Sequence, residues 1–155
     1  MTTNNNFFKI SALLRFIYEE ENENFYPGDC RIGNDDTFEL PDGKEYLVLT
    51  ADEADAKAED YIKSSLWAFN ADFILSTCGL ATTSNVVKSL QRIQEEACEA
   101  CNDFILAYIE GTCGLDEFIQ EAIFEDGRGH FLSPYDGTEN EIILGNETYY
   151  IYRVN

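Results

Sequence analysis

An α+β domain that is mostly helical, a helical block set between two β-hairpins, is the fold class this sequence predicts. Three observations predict it. Apolar residues recur at steps of three and four through most of the chain, β-rich runs come in two pairs around turn residues, and strands do not alternate with helices as a parallel sheet would require.

The elements follow in order. Phe7, Ile10, Leu14 and Ile17 lie at helical spacing and predict an amphipathic helix over 7–19. Residues 19–36 mix Asn, Pro, Gly and carboxylates without a period and read as a surface loop. Strands at 37–40 and 45–50 flank Pro41-Asp-Gly-Lys44, whose Pro and Gly suit a tight turn. Thr50 with Glu53 three residues later has the form of a capping box and opens a helix. Its apolar face is Ala54, Ala58, Ile62, Ser65 and Phe69, while Asp52, Asp55 and Glu59 share another face, and Glu53 stands at pairing distance from Lys57. A short helix over 71–78 ends at Gly79. The longest periodic segment, 84–110, reads as one continuous helix of about 40 Å. Leu115, Phe118, Ile119, Ala122 and Ile123 form another, with Asp116 and Glu117 favouring its dipole and Gly127 stopping it. A turn at Ser133-Pro-Tyr-Asp-Gly137 leads to a hairpin, 142–144 and 148–154, around Gly145-Asn146. Asp-Phe-Ile-Leu followed by Thr-Cys-Gly-Leu occurs twice, at 72–75 with 77–80 and at 103–106 with 112–115, and with its unequal spacing reads as coincidence or a similar helix ending, not a repeat.

Length predicts a single domain, 1–155, and 45% hydrophobic residues supply a core. Thirty acidic side chains against ten basic give a net charge of −20. Such a surface repels polynucleotides and anionic lipid and attracts basic protein surfaces or cations. Scaling laws give about one net charge per 400 Å² of surface, against about one per 100 Å² on duplex DNA, so mimicry of DNA requires the acids to gather on one face. Without that gathering the charge only solvates. No apolar run reaches membrane-span length and residues 1–6 lack the basic start of a signal peptide, which places the chain in the cytoplasm. Five cysteines without a secretory signal read as reduced thiols.

Candidate chemistry is thin. Cys98-Glu-Ala-Cys101, with Cys113 and His130 further on, offers four zinc-type ligands, but two of them fall inside a helical stripe where cysteine behaves as a small hydrophobe. Asp126-Gly-Arg-Gly-His130 sets a cation and the single histidine in a glycine-bounded loop, which makes Arg128, His130, Tyr135 and Asp136 an alternative pocket with His130 as general base; helix termination explains the same glycines, and a carboxylate partner suits Arg128. The acidic turn 136–141 lacks EF-hand spacing. No phosphate loop, dinucleotide fingerprint or basic nucleic-acid patch is present, and no cofactor is expected.

Tyr46-Leu-Val-Leu-Thr-Ala-Asp-Glu-Ala-Asp55, Tyr61-Ile-Lys-Ser-Ser-Leu-Trp-Ala-Phe-Asn70, Asp126-Gly-Arg-Gly-His-Phe-Leu-Ser-Pro-Tyr-Asp-Gly137 and Tyr149-Tyr-Ile-Tyr-Arg153 resemble a family of small acidic proteins of tailed phages and prophages. The resemblance covers 37–155 and leaves 1–36 as a variable extension. It implies a product acting in the bacterial host cytoplasm, with no established activity to carry over. The leading expectation is a non-enzymatic module that binds a basic host protein surface, an inhibitor of a nucleic-acid-binding or defence enzyme, through an acidic face of Asp52, Asp55, Glu59, Glu95, Glu96 and Glu99. The alternatives are a small enzyme or ligand-binding protein using the Arg128 and His130 loop, and a phage assembly protein that associates with itself through the aromatic strand Tyr149–Tyr152. Neither membrane nor direct nucleic-acid contact is expected.

Overall fold

The computed structural model describes residues 2–80 and 82–155. The fold is α+β and mostly helical, with one five-stranded antiparallel sheet. The chain divides into two compact units: a sheet unit, running up to Ala58 and resuming over Arg128–Asn155, and a helical unit, Glu59–Gly127.

In the sheet unit, α1 (Thr2–Glu21) precedes β1 (Arg31–Ile32), β2 (Thr37–Glu39) and β3 (Glu45–Leu49). The unit closes with β4 (Asn140–Leu144) and β5 (Glu147–Arg153). The sheet order is β1-β2-β3-β5-β4, so the two predicted hairpins join through β3 and β5, with Leu47 opposite Tyr152 and Val48 opposite Ile151. Each hairpin turns at a glycine of positive φ, Gly43 and Gly145, which an L side chain rarely adopts. Alternation along the strands sends Phe38, Tyr46, Val48, Ile142, Tyr149 and Ile151 to one face, where Ile10, Ala12, Leu13 and Ile17 of α1 pack on them. The amino-terminal helix is therefore part of the core.

Three expectations are corrected here. The loop predicted over 19–36 holds a 3-10 turn, Pro27–Asp29, and the edge strand β1, because Arg31 and Ile32 pair with Glu39 and Phe38. The aromatic strand Tyr149–Tyr152 offers no free edge, since β5 is paired on both sides and the edges are β1 and β4. Glu53 does accept the Thr50 N–H at 2.9 Å, but its charge partner is Lys9 at 2.7 Å, not Lys57. Lys9 is fully buried and also meets Asp36 at 2.9 Å, so the polar edge of α1 is held to the chain after β1 and to the start of α2 (Ala51–Ser65).

The helical unit contains the last turns of α2, α3 (Ala71–Thr77), α4 (Ser84–Ala97), α5 (Asn102–Gly111) and α6 (Leu115–Leu132) up to a break at Gly127. Asn70 caps α3 by accepting the N–H groups of Asp72 and Phe73 at 2.8 and 3.2 Å. Phe69, Phe73 and Phe118 form an aromatic cluster with ring centroids 5.5 to 6.3 Å apart. Asn102 takes the Trp67 N–H at 3.1 Å and donates to Lys63 O at 2.7 Å, tying the start of α5 to the end of α2.

The predicted continuous helix over 84–110 is not continuous. It breaks at Cys98, whose φ of 49° departs from helix, and resumes after a 3-10 turn, Cys98–Cys101. The apolar stripe is weakest at that point. Ala97 and Ala100 are exposed, whereas Leu90 before the break and Cys101, Ile105 and Ile109 after it are buried. α6 likewise departs from helix at Gly127, φ 77°, and resumes through Leu132, which puts His130 on a helical turn and not in a loop.

Candidate functional site

Three of the six predicted acidic residues are paired with a cation. Asp52, Asp55, Glu95, Glu96 and Glu99 are exposed. Asp55 meets Arg128 at 2.8 Å, Glu59 is taken by Lys63, and Glu96 by Arg92 at 3.2 Å. The break at Cys98 also removes Glu99 from the α4 stripe that carries Glu95 and Glu96. Glu95 borders a hollow of about 420 Å³ with Trp67, Phe69, Gln91, Gln94 and Cys98.

The residues of the alternative pocket each take different partners. Arg128 is held by Glu139 through two bonds of 2.9 Å and by Asp55 at 2.8 Å, and its guanidinium lies 4.3 Å from the Tyr150 ring centre. Burial opposes its charge, but these carboxylates more than compensate and raise its pKa. Tyr152 donates to Glu139 at 2.6 Å, with burial raising its own pKa. Gly129 is needed for this packing, because a Cβ there would come within 2.4 Å of Gly137 O. His130 is exposed, its ring edge-on to Phe131. Tyr135 stacks under Arg153 at 3.7 Å. The Asp136 carboxylate accepts from Ser133 at 2.7 Å and from Thr138 N–H at 2.9 Å; burial raises its pKa, and these bonds bring it below the usual range. Arg128 and Asp136 are thus engaged by neighbours within the sheet unit.

Cys98 and Cys101 point differently, one exposed and the other buried in the core. The one cluster with metal-ligand spacing among the described residues is Glu21, Glu23 and Asp42, and Lys44 already bridges Glu21 and Asp42. An ammonium fills the place a cation would take.

The sequence reading missed the feature with the clearest geometry. Phe118, Ile119 and Ala122 turn one side of α6 into the core, and on the other side Glu117, Glu121 and Glu125 follow at steps of four, a ladder about 12 Å long. With Phe73, Ser76 and Thr77 of α3 they line a hollow of about 330 Å³. All three carboxylates are exposed, and among the described residues no ion pair reaches them. Like charges at i, i+4 cost about 0.2 to 0.5 kcal/mol per pair, so the ladder stands at a small expense to the helix. A groove with an aromatic wall and three carboxylates without ion-pair partners has the chemistry that lysine and arginine side chains complement.

The chain is thus an α+β protein whose helical unit carries a groove lined by three exposed carboxylates. No family model, curated protein or solved structure matches the chain. Among the described residues, no helix is long and apolar enough to cross a membrane.

Proposed function

We propose that the protein is a non-enzymatic binding module that docks a basic surface of another protein through the acidic groove of α3 and α6. The observation that carries this reading is the Glu117, Glu121 and Glu125 ladder beside Phe73, exposed and, among the described residues, without an ion-pair partner. The helical unit as a whole supports it, with thirteen acidic residues against three basic ones. Exposed ion pairs contribute about 0.2 to 1 kcal/mol each, so a ladder of three supplies affinity of about 0.6 to 3 kcal/mol, strongest at low salt. The phage-protein resemblance directs the choice of partner to a host protein with a basic polynucleotide-binding site, such as a defence enzyme, acting in the bacterial cytoplasm.

The test is affinity capture from bacterial lysate at low and high salt, with the wild-type chain beside a Glu117→Gln, Glu121→Gln, Glu125→Gln variant. One nucleic-acid-binding protein, retained at low salt, released by salt or competitor DNA and absent from the variant, is the expected result. The same proteins on both baits would rule the groove out.

A further inference from the structure

Cys78 and Cys113 lie 35 residues apart in the chain, yet their sulfurs are 3.1 Å from one another, one thiol donating to the other. The backbone fixes this approach at both ends. Each cysteine sits in a Thr-Cys-Gly-Leu corner, after α3 and after α5. At the first, Cys78 N–H bonds to Ile74 O at 3.2 Å and Leu80 N–H to Leu75 O at 3.0 Å. At the second, Gly114 N–H bonds to Ile109 O at 2.9 Å and Thr112 Oγ1 donates to Tyr108 O at 2.7 Å. Gly79 and Gly114 turn the chain at φ 75° and 92°. The repeated word thus ends both helices, through different backbone bonds, and the two endings abut at sulfur. Both thiols are half-buried, in contrast to exposed Cys98 and core-packed Cys101. The sulfurs need to close by only about 1 Å to reach disulfide bonding distance.

We propose that Cys78 and Cys113 form a disulfide when the protein meets a small-molecule disulfide oxidant, joining the end of α3 to the corner between α5 and α6. One protein thiolate attacks the reagent disulfide, forming a mixed disulfide and releasing one reagent thiolate. The second protein thiolate then attacks the protein-side sulfur of that bond and releases the other. The two thiol protons pass to the released thiolates, the cysteine pair loses two electrons, and the reagent is reduced to two thiols. Burial, then the neighbouring Cys78, pushes the Cys113 thiol up to about 11, so thiolate is scarce near neutrality and the bond closes faster in mild alkali. Ser76 and Thr77, beside Cys78, wall the groove opposite Glu117, so the bond ties the two sides of that groove. Its formation is independent of the binding role.

The test treats the wild-type chain with oxidised glutathione in mild alkali, blocks remaining thiols with iodoacetamide, and maps peptides after trypsin and a glutamate-specific protease. Cuts at Lys88, Glu99 and Glu110 separate Cys78, Cys98, Cys101 and Cys113. Exposed Cys98 gauges the oxidant by taking up glutathione. The expected product is a Cys78 peptide linked to a Cys113 peptide, lighter by two hydrogen atoms, without retained glutathione and reopened by dithiothreitol. Alkylated Cys78 and Cys113 after Cys98 is fully modified, or glutathione remaining on either, would overturn the proposal.

Discussion

Replacing Lys9 by methionine tests the packing logic of the sheet unit most directly. Methionine keeps much of the aliphatic length of lysine and removes only the charge from a fully buried site. Two carboxylates then lose their partner, Asp36 at 2.9 Å and Glu53 at 2.7 Å. Removing one member of a buried ion pair costs about 3 to 5 kcal/mol. Here both carboxylates keep 34% side-chain exposure, so water recovers part of that loss and about 2 to 3 kcal/mol is expected.

The acid limb of the stability curve carries the same interaction. Burial raises the Glu53 pKa, but hydrogen bonds from Lys9 and from Thr50 N–H outweigh it and hold the group below its usual value. A carboxyl depressed in the folded state contributes stability above its unfolded pKa, about 4.3, and that stability is lost as pH falls through the folded value. Lys9→Met therefore flattens the loss of stability below about pH 4 as well as lowering the plateau. Hydrogen exchange of β3 and β5 amides reads this unit, while Trp67 fluorescence reads the helical one. A Lys9→Met chain as stable as the wild type within about 0.5 kcal/mol, or more stable, would refute the reasoning.

Arg128→Lys should cost about 1 to 3 kcal/mol in urea unfolding, because lysine cannot make the paired bonds to Glu139 and still reach Asp55. Gly129→Ala should cost at least about 1 to 3 kcal/mol, since its Cβ would meet backbone, not a side chain that can turn away. Closing the Cys78–Cys113 bond across 35 residues should stabilise the chain by about 4 kcal/mol on the loop-entropy estimate, read as a higher urea midpoint that dithiothreitol reverses. The triple glutamine variant of the α6 ladder should unfold at the wild-type midpoint or slightly above it, because neutralising exposed like charges relieves repulsion.

Local signals were legible and long-range ones were not. Thr50 and Glu53, Gly43 and Gly145, and the glycine after Cys78 each state their conformation within a few residues, and the structure has the elements they mark. Cys98 shows where periodicity misleads. Steps of three and four run on through small residues, Ala97 and Ala100, that fit either a helix or its interruption. Lys9 carries no local sign of burial, because Asp36 and Glu53 come to it from other elements. The pairing of Leu47 with Tyr152 depends on the two hairpins meeting across the whole intervening chain. The α6 ladder was present in the sequence as a step of four, but its meaning depends on Phe73, Ser76 and Thr77 facing it from another helix.

The distribution of charge partners decides how the acidity should be read. Each unit carries a formal charge of −10, seventeen acidic against seven basic residues in the sheet unit and thirteen against three in the helical unit. In the sheet unit Lys9, Arg15, Arg31, Lys44 and Arg128 are all in ion pairs, several to two carboxylates at once, and Lys9 and Arg128 lie largely out of solvent. Many of its acids therefore fix tertiary structure. In the helical unit, Lys63 and Arg92 pair only within their own helices at i, i+4, where such pairs contribute a few tenths of a kcal/mol. Apart from first-turn acids such as Asp72, Asp103, Asp116 and Glu117, which favour their helix dipoles, the remaining acids there have no ion-pair partner among the described residues. A negative charge that merely solvated the chain would not require three carboxylates to line one side of a hollow with an aromatic ring on the other, and it is this placement on the unit with few cations, more than the total of −20, that favours a basic partner.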